Sequence, residues 1–377
     1  MVRFMGHYMA SDVAAVNQRT LANAGANLYD VSRSDASFTK AQVLAMISSY
    51  SLPNVAYYNN DPASAEVQAQ ILAYRNVEAL QQTQDQPVAI RYAITVSNAY
   101  LKCFPTFIKG NNDPNDARSF DYFLETAFAP GSGLLVLHET ADRQWAFVQG
   151  ENYYGWVYEG ELAFTDKETY LSYINADDFL ICTHPAEDYR LGEILPYTKK
   201  SGSVYTVSYP VRNGDGTLAL TERVIDINSS AAAFSDGFLP FSEGLLLEKA
   251  YYLSDLSYGW SDDHGNYDCS STVGLLYRLF GYYLPRNTSI MKYFGGSVTD
   301  LSGVAYRSGL IEAHPGALLV MPGHVVMYTG LTSQGHMVFH NTTYNGYYHV
   351  IINPLEEMQN GSGAAWIDCF TYLISVN

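Results

Sequence analysis

YDCSSTVGLLYRLFG, residues 267–281, is the stretch whose reading decides the fold. Val273, Leu276, Leu279 and Phe280 recur at helical spacing, and Gly281 supplies a stop. The spacing predicts a helix that starts at Cys269, with an aspartate just before the thiol and two serines just after it. A thiol at a helix N-terminus sees the positive end of the macrodipole and unpaired backbone N–H groups. Both favour thiolate, the form that attacks carbonyls. Downstream, MPGHVVMYTG (321–330) puts His324 at the start of a strand, and MVFHN (337–341) offers His340. Nucleophile, base and orienting group in that chain order make a cysteine hydrolase the reading of this region.

Working outward, SEGLLLEKAYYLSDL reads as a helix capped by Ser242. Beyond the cysteine helix come LPRN (284–287) and strands expected at 317–321, 324–328, 336–340, 348–352 and 371–375. A helix on an antiparallel sheet predicts an α+β domain over 242–377. Upstream, GLLVLHET, QWAFVQG and YYGWVYEG are short strands separated by turns, which suggests a small barrel over 87–175. A second β-rich stretch, 176–241, carries SVYTVSYPV and TLALTERVI around the hairpin turn RNGDG (212–216). The two stretches read as a divergent tandem pair. Residues 1–86 read as mostly helical, with helices from Ser11 or Asp12 to Leu21, after Ser37 or Thr39, and from Ala63 to Leu80. That region holds no motif and reads as a clasp or lid.

The totals exclude several classes. A formal charge of −17 argues against nucleic acid or an anionic membrane surface as partner. No apolar run reaches the roughly 18 residues a membrane helix needs. The N-terminus shows no export signal, which leaves either a cytoplasmic protein or one of the cell envelope (periplasmic or extracellular) whose signal is missing from this chain. Four scattered cysteines lack metal or redox spacing and leave a Cys103–Cys182 bridge open. Tyrosine, at 32 residues, suits β-rich proteins with polar ligands.

The quoted residues carry a resemblance. YGW (258–260), DCS (268–270), LPR (284–286), His324, YTG (328–330) and His340 closely resemble the NlpC/P60 cysteine peptidases. WAFV (145–148) with GWV (155–157) resembles bacterial SH3-type (SH3b) barrels. Together they look like the multidomain γ-D-glutamyl-L-diamino acid endopeptidases. The resemblance implies a helical N-terminal segment, two SH3-like β-barrels and a papain-like catalytic domain, α+β overall. It implies hydrolysis of the bond after γ-D-glutamate in murein peptides with a free N-terminal L-Ala. No cofactor is implied, and a monomer is expected. By the same resemblance Cys269 is the nucleophile, His324 the base and His340 the third polar group. Asp268 and Ser270 would bind the substrate amine, while Glu125 and Tyr154 (or Tyr153, in the adjoining register) would help close the pocket.

Departures and rival readings accompany these assignments. SDDHG (261–265) replaces the usual glycines after YGW, Ser271 replaces the glycine after DCS, Ala317 replaces an acidic residue, and Met291 stands near the position of an expected glutamine. Asp268 also suits a plain helix cap, and Glu125 a barrel surface charge. His336 lies on the same strand face as His340, and period-two alternation cannot separate them. Asp262, Asp263 and His264, and the run NNDPND (111–116), read as turns rather than metal sites. The rival functions are a peptidoglycan-binding protein with an inactive peptidase domain and an endopeptidase of the polymeric wall.

Overall fold

Asp268 caps the cysteine helix, which runs Cys269–Arg278 in the computed structural model. The Asp268 carboxylate accepts the Ser271 N–H at 2.9 Å, and the Ser271 hydroxyl accepts the Asp268 N–H at 2.9 Å. This reciprocal pair satisfies two donors that a helix start otherwise leaves open. It also accounts for Ser271 in place of glycine. Val273, Leu276 and Tyr277 form the helix's buried face. The structure describes residues 1–115, 120–186, 189–304, 307–312, 315–360 and 362–376.

These residues form an α+β, multidomain fold with two compact units. The first comprises Met1–Leu28, Leu180–Gly192 and Ile227–Asn377. Its centre is a six-stranded antiparallel sheet in the order Ser297–Asp300, Tyr372–Ser375, Leu318–Met321, His324–Thr332, Gly335–Thr342, His349–Pro354. The cysteine helix packs on the fourth and fifth of these strands. Leu319, Val326, Tyr328, Val338, Leu373 and Trp366 fill part of the core. Strand Phe179–His184 pairs with Ala233–Asp236. The helix Ser11–Ala24 belongs to this unit, and the buried Asn17 side chain ties it to the end of the cysteine helix. Asn17 donates to the Gly281 carbonyl at 2.8 Å and accepts the Tyr283 N–H at 3.0 Å.

The second unit comprises Tyr29–Phe179 and Glu193–Asp226. Its seven-stranded antiparallel sheet runs Leu162–Thr165, Arg91–Thr95, Gly133–Glu139, Trp145–Gln149, Tyr154–Tyr158, Ala99–Lys102, Leu124–Phe128. Trp145, Phe147 and Trp156 share a core with Phe38, Val43 and Ile47 from the helical segment before it. Strand Ile194–Ser201 pairs with Val204–Arg212, which pairs with Leu218–Asp226. The RNGDG turn closes the second of these hairpins, with Gly216 at φ 88°.

Three local expectations need correction. A hairpin, Val2–Phe4 with His7–Met9, precedes the first helix; its three-residue strands are too short for alternation to show. Ser11 and Asp12 lie inside the first helix, which has no side-chain cap and continues to Ala24. The helix expected from Ala63 to Leu80 is broken into Ala65–Ala73 and Glu78–Gln81, with Asn76 in the left-handed region at φ 53° between them. Thr39 does cap Lys40–Ser48, through a capping box with Gln42. All four cysteines are free thiols, so the open Cys103–Cys182 bridge is absent. Among the described residues no helix is long and apolar enough to cross a membrane.

Candidate active site

His324 and His340 come together across adjacent strands. His324 Nε2 lies 3.0 Å from His340 Nδ1, and His340 Nε2 lies 3.0 Å from Asn353 Oδ1. Trp366 covers both imidazoles, with ring centres 5.0 Å and 5.2 Å away. His336 is held elsewhere on the same strand. Its Nδ1 meets Glu356 at 2.5 Å and its Nε2 meets Glu312 at 3.0 Å. The structure thus pairs His340, and not His336, with His324.

Cys269 is the first residue of its helix and is buried. Burial, then the Asp268 charge, pushes the thiol up to about 12, against the opposing pull of the Val325 amide, Arg286 and the Ser270 amide. Burial, then the neighbouring His340, holds His324 well below its ordinary range. Burial also brings His340 down to about 4. Both shifts favour the neutral forms, thiol and imidazole. Enclosure and the Asp268 carboxylate act on the sulfur against the helix dipole.

A buried polar cluster surrounds the helix start. Asp268 Oδ2 meets Arg286 Nη2 at 2.8 Å and Oδ1 meets Nη1 at 3.1 Å. Asp262 Oδ2 takes the same Nη2 at 3.0 Å. Ser270 accepts Arg286 Nη1 at 2.7 Å and donates to Asp268 Oδ1 at 2.9 Å. Burial pushes the Asp268 carboxyl up, but Arg286 and the hydrogen bonds from Arg286, Ser271 and Ser270 prevail and hold it below the carboxylate range.

The SDDHG loop (261–265) keeps a glycine-like backbone. Ser261, Asp262 and His264 lie at φ 50°, 69° and 53°. Asp and His tolerate this region better than most residues, yet each such residue costs on the order of 1–3 kcal/mol. The bend turns Asp262 inward to Arg286, while Asp263 and His264 face each other at 3.6 Å with His264 exposed. Among the described residues no three metal-ligating side chains converge. In the YGW turn, a Cβ on Gly259 would come within 2.5 Å of the Asp263 carbonyl, so glycine is needed there. Of NNDPND, Asp116 lies outside the described residues, and Asp113 caps its own turn by accepting the Asn115 N–H at 2.9 Å.

Glu125 and Tyr154 belong to the second unit. Tyr153, the alternative register, donates its hydroxyl to Glu125 at 2.5 Å. Tyr154 instead meets the Ser49 hydroxyl at 3.1 Å.

The sequence reading gave no role to four residues that the structure brings to the site. Arg286 was visible only as part of LPR. Asn341, fully buried, donates to the Tyr267 carbonyl at 2.7 Å and the Thr272 hydroxyl at 3.1 Å, pinning the helix to the His340 strand. Tyr258 has its hydroxyl raised by burial and then by Cys269 and Asp268 close by. Asn353 had no local signal.

The comparisons agree with this architecture. Residues 107–158 match the model of the SH3 domain, SH3b1 type. Among curated proteins none matches the chain in sequence. A solved NlpC/P60 endopeptidase from Photobacterium damselae subsp. piscicida is similar at TM-score 0.72 and 18% identity, over 96% of this chain and 92% of that one. An NlpC/P60 family protein from Bacillus cereus ATCC 10987 is similar at TM-score 0.52 and 16% identity, over 76% of this chain and 99% of that one. The chain therefore has the fold of the NlpC/P60 endopeptidases and carries an SH3 domain of the SH3b1 type.

Proposed function

We propose that the chain is a cysteine peptidase of bacterial cell-wall peptides that cuts the γ-D-glutamyl–diamino acid amide. The observation that carries this reading is the 3.0 Å His324–His340 pair, set on the two strands that support the Cys269 helix. The Cys269 thiol gives its proton to His324 as the sulfur attacks the γ-carbonyl carbon. The carbonyl oxygen takes up the negative charge and is met by the Cys269 backbone N–H and the Tyr258 hydroxyl. Imidazolium His324 then protonates the departing amine, the C–N bond breaks and a thioester remains. Water, deprotonated by His324, attacks the thioester, releasing L-Ala-γ-D-Glu and returning the thiol.

With the thiol pushed up and His324 held down by burial, proton transfer accompanies attack in this reading. The Asp268 carboxylate, held below its usual range by Arg286 although burial opposes it, supports an ammonium in the substrate, and hence a free N-terminal L-Ala. Soluble murein peptides satisfy that requirement, and such a substrate fits a place in the cell envelope or in the cytoplasm. The test compares a synthetic L-Ala-γ-D-Glu-diamino acid tripeptide with its N-acetyl form. Cleavage of the free peptide and none of the blocked one is expected; equal rates on both would remove the amine requirement.

A further inference from the structure

We infer that Asn353 is a positioning residue that fixes the tautomers of the His324–His340 pair and thereby decides which nitrogen of His324 is left to act as base. The inference rests on the proposed Cys269–His324 chemistry only for its kinetic consequence.

Register brings the residues together. His340 is paired with Ile351, and Asn353 lies two residues farther along the same strand, so its side chain projects on the face that His340 uses. The amide orientation follows from its second neighbour. Asn353 Nδ2 lies 2.8 Å from Sδ of the buried Met358. A thioether only accepts, so the NH2 group belongs there and Oδ1 belongs on His340. Oδ1 also only accepts, so His340 Nε2 carries the hydrogen across the 3.0 Å contact. Neutral His340 then has its lone pair on Nδ1. The 3.0 Å contact between that nitrogen and His324 Nε2 needs a donor, which places the hydrogen on His324 Nε2. His324 Nδ1 is left with the free lone pair. Each link is a donor–acceptor requirement, and the chain starts at Met358. Burial of both imidazoles under Trp366 keeps bulk water from supplying an alternative donor.

The first test is independent of turnover. Imidazole 15N shifts of the labelled Cys269→Ala protein at pH 7.5 should show His340 protonated at Nε2 and His324 protonated at Nε2. Hydrogen on Nδ1 of either ring overturns the inference. The second test uses two variants with opposite expectations. Asn353→Leu removes the acceptor at similar volume, and kcat should fall roughly tenfold to a hundredfold with KM little changed. Asn353→Asp keeps the acceptor and adds charge; it should retain more of kcat than the leucine variant and move the acid limb of kcat/KM to higher pH. An unchanged kcat in Asn353→Leu, or an unmoved acid limb in Asn353→Asp, contradicts the inference. If the parent protein cleaves no murein peptide while the 15N shifts are as expected, the proposed function fails and the tautomer assignment stands.

Discussion

The Asp268 carboxylate meets the Arg286 guanidinium through two contacts, 2.8 Å and 3.1 Å, while the same carboxylate caps the helix that begins with Cys269. One side chain thus joins the helix start to the arginine of LPR. Of the sequence's rival readings of Asp268, the hydrogen bonds show the cap; the clamp belongs to the proposed function. Asp262 brings a second carboxylate to the same guanidinium, 3.0 Å from Nη2.

Removing the arginine should be costly. Arg286→Met removes the guanidinium that two buried carboxylates share, and a loss of about 3–5 kcal/mol is expected. Arg286→Lys keeps the charge but not the fork and should lose less. Urea unfolding of both variants measures this. A methionine variant as stable as the parent would show that the fork adds nothing net.

Ser271 should contribute through the capping box alone. Ser271→Gly removes the hydroxyl that receives the Asp268 N–H and places glycine in a helix, together costing about 1–2 kcal/mol. Equal midpoints in thermal or urea unfolding would contradict that role.

Resting thiol reactivity should be low. With Cys269 pushed up to about 12, iodoacetamide at neutral pH should label the half-buried Cys369 before Cys269. Peptide mapping after timed alkylation reads the order. Rapid labelling of Cys269 at pH 7 would mean a resting thiolate.

Two histidines on one strand should give opposite pH dependences of stability. His340 is held at about 4, below its unfolded value of roughly 6.5, so the unfolded chain binds the extra proton between those values. Its contribution is complete above the unfolded value and is lost as pH falls through about 4. His336 is raised by Glu356 and Glu312, though burial opposes them. Its contribution is complete below the unfolded value and is lost as pH rises through the raised one. Unfolding free energies from pH 4 to 9 should therefore lose acid-side slope in His340→Asn and alkaline-side slope in His336→Gln. The same slope change in both variants would refute the assignment.

The cysteine helix was legible because its signals are local: a capping aspartate, an apolar repeat and a terminal glycine lie within fifteen consecutive residues. The strands bearing His324 and His340 were legible for the same reason. Alternation could not choose between His340 and His336, because the choice depends on Glu356 and Glu312, which lie on other segments. Asn353 and the Asp262–Arg286 contact were invisible for a related reason. Their partners are 13 and 24 residues away, and nothing in the intervening sequence marks the pairing. The break at Asn76 reflects one left-handed residue, a choice that periodicity does not record.

The most direct measurement is mass spectrometry of the products formed from synthetic L-Ala-γ-D-Glu-diamino acid-D-Ala by the parent protein and by Cys269→Ala. The account predicts L-Ala-γ-D-Glu and the complementary diamino acid-D-Ala from the parent and intact peptide from the variant. Release of the dipeptide by Cys269→Ala, or cleavage at a different bond by the parent, would contradict it.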